Sequence, residues 1–429
     1  MPKPRREAPP ADSSDADASA PARAAAAHAR DLRAAARLAT EATLALTALV
    51  ETVHARVGIP GLRDTEAERT RGIAGLVYKS VRGVTRLVGA SVDGVLGVLT
   101  PTLSSAQAAA LPTPERDAIV AALNGVMGDH LARTANPLAI QMAFRQGGRP
   151  LATTRAGLAA TLPTAGDKLL VLVHGLCMND LQWRREGTHG PRDHGEALAA
   201  ALGFTPVYLH YNSGLHVSTN GRAFAQRLEQ LLAAWPRPIA RFAIVAHSMG
   251  GLLTRSALHY GRAAGLHWPD RLDDVVFLGT PHHGAPLERA GHGFELLLGA
   301  TPYAAPFARL ARLRSAGITD LRHGNLLDED WSGGDRFERS TDRRALVPLP
   351  IGPRCHALAA TTGPGTGGAK DLLGDALVPV ASALGRHRIA RRTLKFLPEH
   401  QRVLAHTNHM QLLSSPDVGE QLERWLARG

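Results

Sequence analysis

The stretch that decides the fold is Arg241-Phe-Ala-Ile-Val-Ala-His-Ser-Met-Gly-Gly251. Five uncharged residues, Phe242 to Ala246, read as a buried strand that delivers Ser248 into a glycine-flanked turn ahead of a helix. The backbone of such a turn bends so sharply that large side chains two places before and after the serine collide. Ala246 and Gly250 fill those places, alanine standing where glycine is usual. A pentapeptide of this kind is common by chance, and its weight comes from the strand before and the helix after. The competing reading is a serine that only caps the helix from Met249 to Ala264.

Working outward, short apolar runs alternate with helical stretches. The runs are Leu169 to Val173, Val207 to Tyr211, Phe242 to Ala246, Val275 to Leu278 and His356 to Thr361. Helices are expected at His194 to Leu202, Gly221 to Trp235 and Gly250 to Ala264. This rhythm predicts an α/β fold with a largely parallel sheet covered on both faces and ligands at the carboxyl ends of its strands. A hairpin is expected ahead of it, Leu138 to Phe144, a turn at Gly147 and Gly148, then Leu151 to Thr154.

By these residues the chain resembles the α/β-hydrolases of the lipase and esterase kind, near the bacterial serine lipases and the hydrolases related to glycosylphosphatidylinositol deacylases. Ala246-His-Ser-Met-Gly-Gly251 resembles the alanine-type elbow of Bacillus lipases, Gly374-Asp-Ala-Leu-Val-Pro379 is similar to their acid loop, and His409-Met-Gln-Leu-Leu413 to their histidine loop. Gly279-Thr-Pro-His-His-Gly284 resembles a further family segment after the strand that follows the elbow. The likeness spans residues 136–429. It implies an α/β-hydrolase fold, a mostly parallel central sheet with helices on both faces, carrying a cap insertion at about 285–350.

A serine hydroxyl needs a general base, and the base an orienting acid. With 20 histidines in the chain, position has to decide. The family order of nucleophile, acid and histidine selects Asp375 and His409, with Asp371 and His406 as alternatives whose ordinary reading is a solvated loop residue. Charge building on a carbonyl oxygen needs donors already aimed at it. Val173-His-Gly-Leu-Cys177 ends an early strand, and its resemblance to the family's His-Gly-x loop implies an oxyanion hole from the N–H groups of Leu176 and Met249. Gly175 permits the bend and His174 is expected to brace the loop. Cys177 has no elbow around it and reads as a small buried residue.

His282 and His283, with Asp270, Asp273 and Asp274 near them, invite a metal reading. Neighbours on an extended segment point to opposite sides and no spaced ligand pair accompanies them, so they are expected to hydrogen-bond loops, and neither metal nor cofactor is implied.

The chain has 429 residues, 44% hydrophobic and 20% charged, which excludes wholesale disorder, collagen and a multi-span membrane protein. Two cysteines exclude a disulfide framework or a cysteine-rich zinc module. Residues 1–22 lack apolar anchors and read as a disordered tail with no secretory signal. Residues 23–135 read as a helical N-terminal region outside the basic hydrolase fold. Within it the stripe from Ile73 to Leu99 is amphipathic and broken by Lys79, Arg82, Arg86 and Asp93, so it is expected to pack on protein or lie on a membrane surface rather than span one. A net charge of +11 favours polyanions in general, but its arginines are dispersed and aromatics reach only 4%, so no specific nucleic-acid partner is expected. The expected protein is cytoplasmic, at most peripheral to a membrane, and cleaves carboxylic esters of a small or lipid substrate. A thioesterase or amidase would use the same residues, and an inactive scaffold of the same fold is the alternative from another class.

Overall fold

The computed structural model describes residues 114–187, 190–285, 315–332, 344–365 and 374–427. The expected tail, the helices before residue 100, most of the insertion and Asp371 lie outside the described residues.

The first described helix, α1 (Pro114–Arg133), is followed by the strands β1 (Ala143–Gln146) and β2 (Arg149–Pro150). Next come α2 (Arg155–Thr161), β3 (Lys168–Val173), β4 (Arg185–Gly187), β5 (Gly190–Arg192), α3 (His194–Leu202), β6 (Thr205–His210) and α4 (Val217–Ala234). The chain continues through β7 (Arg241–His247), α5 (Met249–Ala263), β8 (Asp274–Leu278), α6 (Ala316–His323), β9 (Arg354–Ala360), β10 (Gln401–Leu404) and α7 (Pro416–Leu426). Strand order in the main sheet is β10-β9-β8-β7-β3-β6-β1-β2, with β4 and β5 forming a separate ribbon. From β6 to β10 every pairing is parallel, while β1 pairs antiparallel with both β6 and β2.

The antiparallel edge departs from the expected hairpin. The expected hairpin is shorter than its apolar residues suggest, because Pro150 cannot donate to a ladder and Thr154 takes its hydroxyl to Gly157 N as the cap of α2. Leu151 still donates its N–H to Phe144 O at 2.8 Å, and Ala152 to Thr154 lead into the helix. The β4–β5 ribbon carries no apolar alternation that would announce it.

Alternation along the central strands builds two cores. Leu169, Val171 and Val173 of β3 and Ile244 and Ala246 of β7 pack with Phe224 and Leu228 of α4 and Leu252 of α5 on one face. Leu170, Leu172, Ala243 and Val245 meet Leu198 of α3 and Val418, Leu422 and Trp425 of α7 on the other. Both faces being covered explains why the strands read as unbroken apolar runs.

Helix α1 lies before residue 136, yet it packs as part of this body. Asp117 accepts from Arg145 of β1 at 2.8 Å, Asn124 accepts from Ile140 N at 3.0 Å, and Gly128 O accepts from Asn212 at 3.0 Å. Among the described residues no helix is long and apolar enough to cross a membrane.

The chain leaves β3 for β6 on one side and returns for β7 on the other. That reversal opens a crevice at the carboxyl ends of β3 and β7, the place where open parallel sheets bind ligands. Gly175 and Ser248 stand at the ends of those two strands.

Candidate active site

Ser248 follows β7 with φ 55° and ψ −125°. A non-glycine residue pays for that conformation, on the order of 1–3 kcal/mol, and it persists because the surroundings enforce it. Ser248 N donates to Leu278 O at 2.8 Å, pinning the turn to β8. A Cβ on Gly250 would sit 2.5 Å from Val173 O and 2.6 Å from His174 O, so α5 can approach β3 only with glycine there. The hydroxyl makes no capping bond to α5, and its buried oxygen has no hydrogen-bond partner. The helix-cap reading of Ser248 therefore fails.

Asp375 and His409 come together in the interior, fully buried. Nδ1–H of His409 donates to Asp375 Oδ2 at 2.7 Å, and the His409 N–H donates to the Asp375 carbonyl at 3.0 Å. The other carboxylate oxygen accepts from Leu377 N at 3.0 Å and Val378 N at 2.8 Å. Those contacts require the tight Gly374-Asp-Ala-Leu-Val loop, in which Gly374 has φ 69° and a Cβ on it would lie 2.0 Å from Val378 O. With the proton on Nδ1, Nε2 of His409 is left as an acceptor, and it is buried without a partner. Buried polar atoms are nearly always satisfied, so Ser248 Oγ and His409 Nε2 demand a functional explanation. No bond joins them directly. They are linked through the end of β8: Leu278 O holds Ser248 N, and a Cβ on the next residue, Gly279, would stand 3.2 Å from both Asp375 Oδ2 and His409 Cε1. His406 is exposed in a left-handed turn, φ 52°, with its N–H on Gly363 O.

The loop after β3 lies against the elbow, since a Cβ on Gly175 would be 3.0 Å from Ser248 Cβ. The N–H groups of Leu176 and Met249 have no acceptor among the described residues, Met249 because it opens a helix. His174 donates from Nδ1 to Gly175 O at 2.8 Å, stacks on Tyr211 with centroids 4.4 Å apart, and receives the Tyr211 hydroxyl on its carbonyl at 2.9 Å. Burial pulls its imidazole down to about 3, so it stays neutral and serves as a brace. Cys177 is buried at φ 60°, and burial pushes its thiol up to about 12, far from a thiolate at neutral pH.

One residue escapes sequence reasoning. His247 is the unspecified position before the serine, yet its Nε2–H donates to His409 O at 3.2 Å and its ring lies 4.7 Å from that of His409. Burial, then the neighbouring His409, hold it well below the ordinary histidine range. It ties the elbow to the histidine loop as a neutral donor.

His283 donates its backbone N–H to Ser382 Oγ at 3.1 Å and its Nε2–H to Gly385 O at 3.0 Å. His282 sits between Phe277 and Phe396. Asp274 is at the opposite end of the sheet, bound by Arg241, Arg354 and His356 at 2.7 to 3.1 Å. Its carboxylate is spent on those groups.

A family model described as the PGAP1-like alpha/beta domain matches residues 166–347. No curated protein sequence matches the chain. Among solved structures, RedJ with a polyethylene glycol molecule in its active site is 20% identical, covering 62% of this chain and 92% of its own, at TM-score 0.34. A Pyrococcus furiosus esterase is 13% identical over 61% of this chain and 83% of its own, at TM-score 0.34. A hormone-sensitive lipase from a metagenome library is 13% identical over 62% and 79%, at TM-score 0.35. The parallel sheet with a strained serine turn at its switch point has the α/β-hydrolase architecture, and from β3 through β8 the chain is similar to the PGAP1-like hydrolases.

Proposed function

We propose that the chain is a serine hydrolase that cleaves carboxylic esters, of lipid or other acyl type, through an acyl-enzyme on Ser248. The observation that carries this reading is the buried 2.7 Å bond between His409 Nδ1 and Asp375, with Nε2 of the same ring and the Ser248 hydroxyl both buried and unpartnered. Ser248 Oγ attacks the ester carbonyl while His409 Nε2 takes its proton. Asp375 keeps the imidazole in the right tautomer and stabilises the imidazolium. The oxygen of the tetrahedral intermediate is held by the N–H groups of Leu176 and Met249. His409 returns the proton to the leaving alcohol, and water repeats the sequence to release the acid.

Labelling with a fluorophosphonate tests the assignment. Wild-type protein should be labelled and Ser248→Ala should not, with the far-ultraviolet spectrum unchanged. His409→Ala and Asp375→Asn should each lower turnover of a p-nitrophenyl ester series by several orders of magnitude, as loss of a triad member does. Equal labelling of Ser248→Ala at another serine would overturn the nucleophile.

A further inference from the structure

Past Gly279 the chain continues through Thr280 and Pro281 to His282 and His283, and there it lines a cavity of about 520 Å³ whose walls include none of Ser248, Asp375 and His409. Residues 344–350 and 391–395 form two sides of it, and Arg255 of α5 reaches it from below the loop. Among the described residues, Arg255, Arg391 and Lys395 line the space with one carboxylate, Asp330, while Arg344 and Arg392 are engaged with Gly324 O and Arg344 O. That carboxylate is committed to backbone: Oδ2 accepts from Leu326 N at 2.7 Å and Leu327 N at 3.0 Å, and Oδ1 from Ala345 N at 2.7 Å.

Arg255 is the telling residue. It is only 4% exposed, and its guanidinium meets the Val347 carbonyl and, at 3.4 Å, Nδ1 of His282. Among the described residues it has no carboxylate partner, and its buried Nε–H has no acceptor. Burial draws it down to about 10, which still leaves it charged at neutral pH. Because Arg255 donates to Nδ1 of His282, and burial keeps that ring neutral, the imidazole proton sits on Nε2, and this too is buried without an acceptor. A buried cation is ordinarily paired, because an uncompensated one costs several kcal/mol, roughly. Two buried donors without a partner among the described residues, with the exposed cations Arg391 and Lys395 beside them, fit an acceptor-rich anion.

We propose that this cavity binds a phosphate-bearing ligand. A phosphate monoester brings about 1.5 to 2 negative charges and three acceptor oxygens, matching forked guanidinium donors and the free imidazole N–H, whereas a carboxylate brings one charge and two oxygens. Arg391 and Lys395 are exposed at the rim and attract the group; Arg255 and His282 at the floor fix it. The ligand is either a soluble phosphate ester or the headgroup of a phospholipid, and the half-exposed Leu346 in the same wall would meet the hydrocarbon of the latter.

The test is a binding measurement, independent of whether the serine reading holds. Inorganic phosphate is titrated calorimetrically into the full chain at low salt, with acetate at equal ionic strength as control. Saturable phosphate binding is expected, weakened at least tenfold in Arg391→Ala/Lys395→Ala and unchanged within twofold in Arg227→Ala/Arg237→Ala, a pair of exposed arginines elsewhere. Arg255→Met should abolish binding; if it does not fold, the rim pair carries the test. No saturable phosphate binding, equal weakening in the control pair, or acetate binding as tightly would each overturn the proposal. Flotation with phosphatidylcholine vesicles containing phosphatidic acid separates the sources. Flotation lost in the rim variant identifies a headgroup, and phosphate binding without flotation identifies a soluble ester.

Discussion

Ser248 can hold a strained backbone only because its neighbours leave no alternative, and the same closeness makes Gly279 a sensitive position. Gly279 has φ 56°, where an L side chain costs about 1–2 kcal/mol, and its Cβ would press on Leu412 at 2.7 Å and on the Asp375–His409 pair at 3.2 Å. Gly279→Ala is therefore expected to lower kcat for esters at least tenfold by displacing the pair, although Gly279 takes no part in the chemistry. Unchanged kcat in a folded variant, with the fold checked by thermal melting, would mean that the pair is placed by something else. The Ser248 turn is legible from sequence because it restricts the residues two places before and after it to small side chains, whereas Asp375 is reached through the resemblance to the family's acid loop. His247 is not legible, because the elbow places no steric condition on it and its contact with His409 O spans 162 residues of chain.

Among the elements, the buried parallel strands announce themselves, since a strand covered on both faces must be apolar throughout. Helix α3 falls where the Ala- and Leu-rich spacing puts it, at His194–Leu202. What escapes is any element whose place depends on a distant partner. Helix α1 has a weak apolar stripe and four of its contacts are made by glycine or polar groups, so its sequence does not reveal that it covers the loop after β3. A Cβ on Gly125 would lie 2.2 Å from Cys177 Sγ, 2.8 Å from its Cα and 2.9 Å from its N, next to Leu176. Gly to Ala inside a helix ordinarily stabilises by about 1 kcal/mol. Here backbone stands in the way, and overpacking costs roughly 1–3 kcal/mol, so the sign reverses. Gly125→Ala should lower Tm and, by moving the Leu176 N–H, reduce kcat more than it raises KM. A rise in Tm with unchanged kcat would show that α1 yields and that the oxyanion loop does not depend on it.

At the scale of the molecule, the histidines make acid the weak direction. His174 and His194 are buried and held neutral by desolvation, down to about 3 and about 4, and burial keeps His247 and His282 well below the ordinary range. In the unfolded chain each titrates near pH 6.5, so between pH 6.5 and the folded value the unfolded state binds more protons, and stability falls as pH falls. At pH 5 each such group costs about 2 kcal/mol. For His174 and His194 together that is a large share of the stability of a typical domain, about 5–15 kcal/mol, and His247 and His282 act in the same direction. Asp274, held below the usual carboxylate range against desolvation by His356, Arg354 and Arg241, acts with the same sign, but its contribution is lost only below about pH 4. The urea midpoint should therefore be level from pH 7 to 8.5 and fall steeply from 6.5 toward 5, well before the carboxylates protonate. His194→Gln keeps a donor for Leu412 O, which His194 Nε2 now reaches at 3.0 Å, while removing the proton uptake. It should flatten the slope below pH 6.5 by about one proton's worth, roughly 1.4 kcal/mol per pH unit. A midpoint that stays level down to pH 5, or a slope untouched by that substitution, would show that these rings are protonated in the folded protein and that the interior around them admits water.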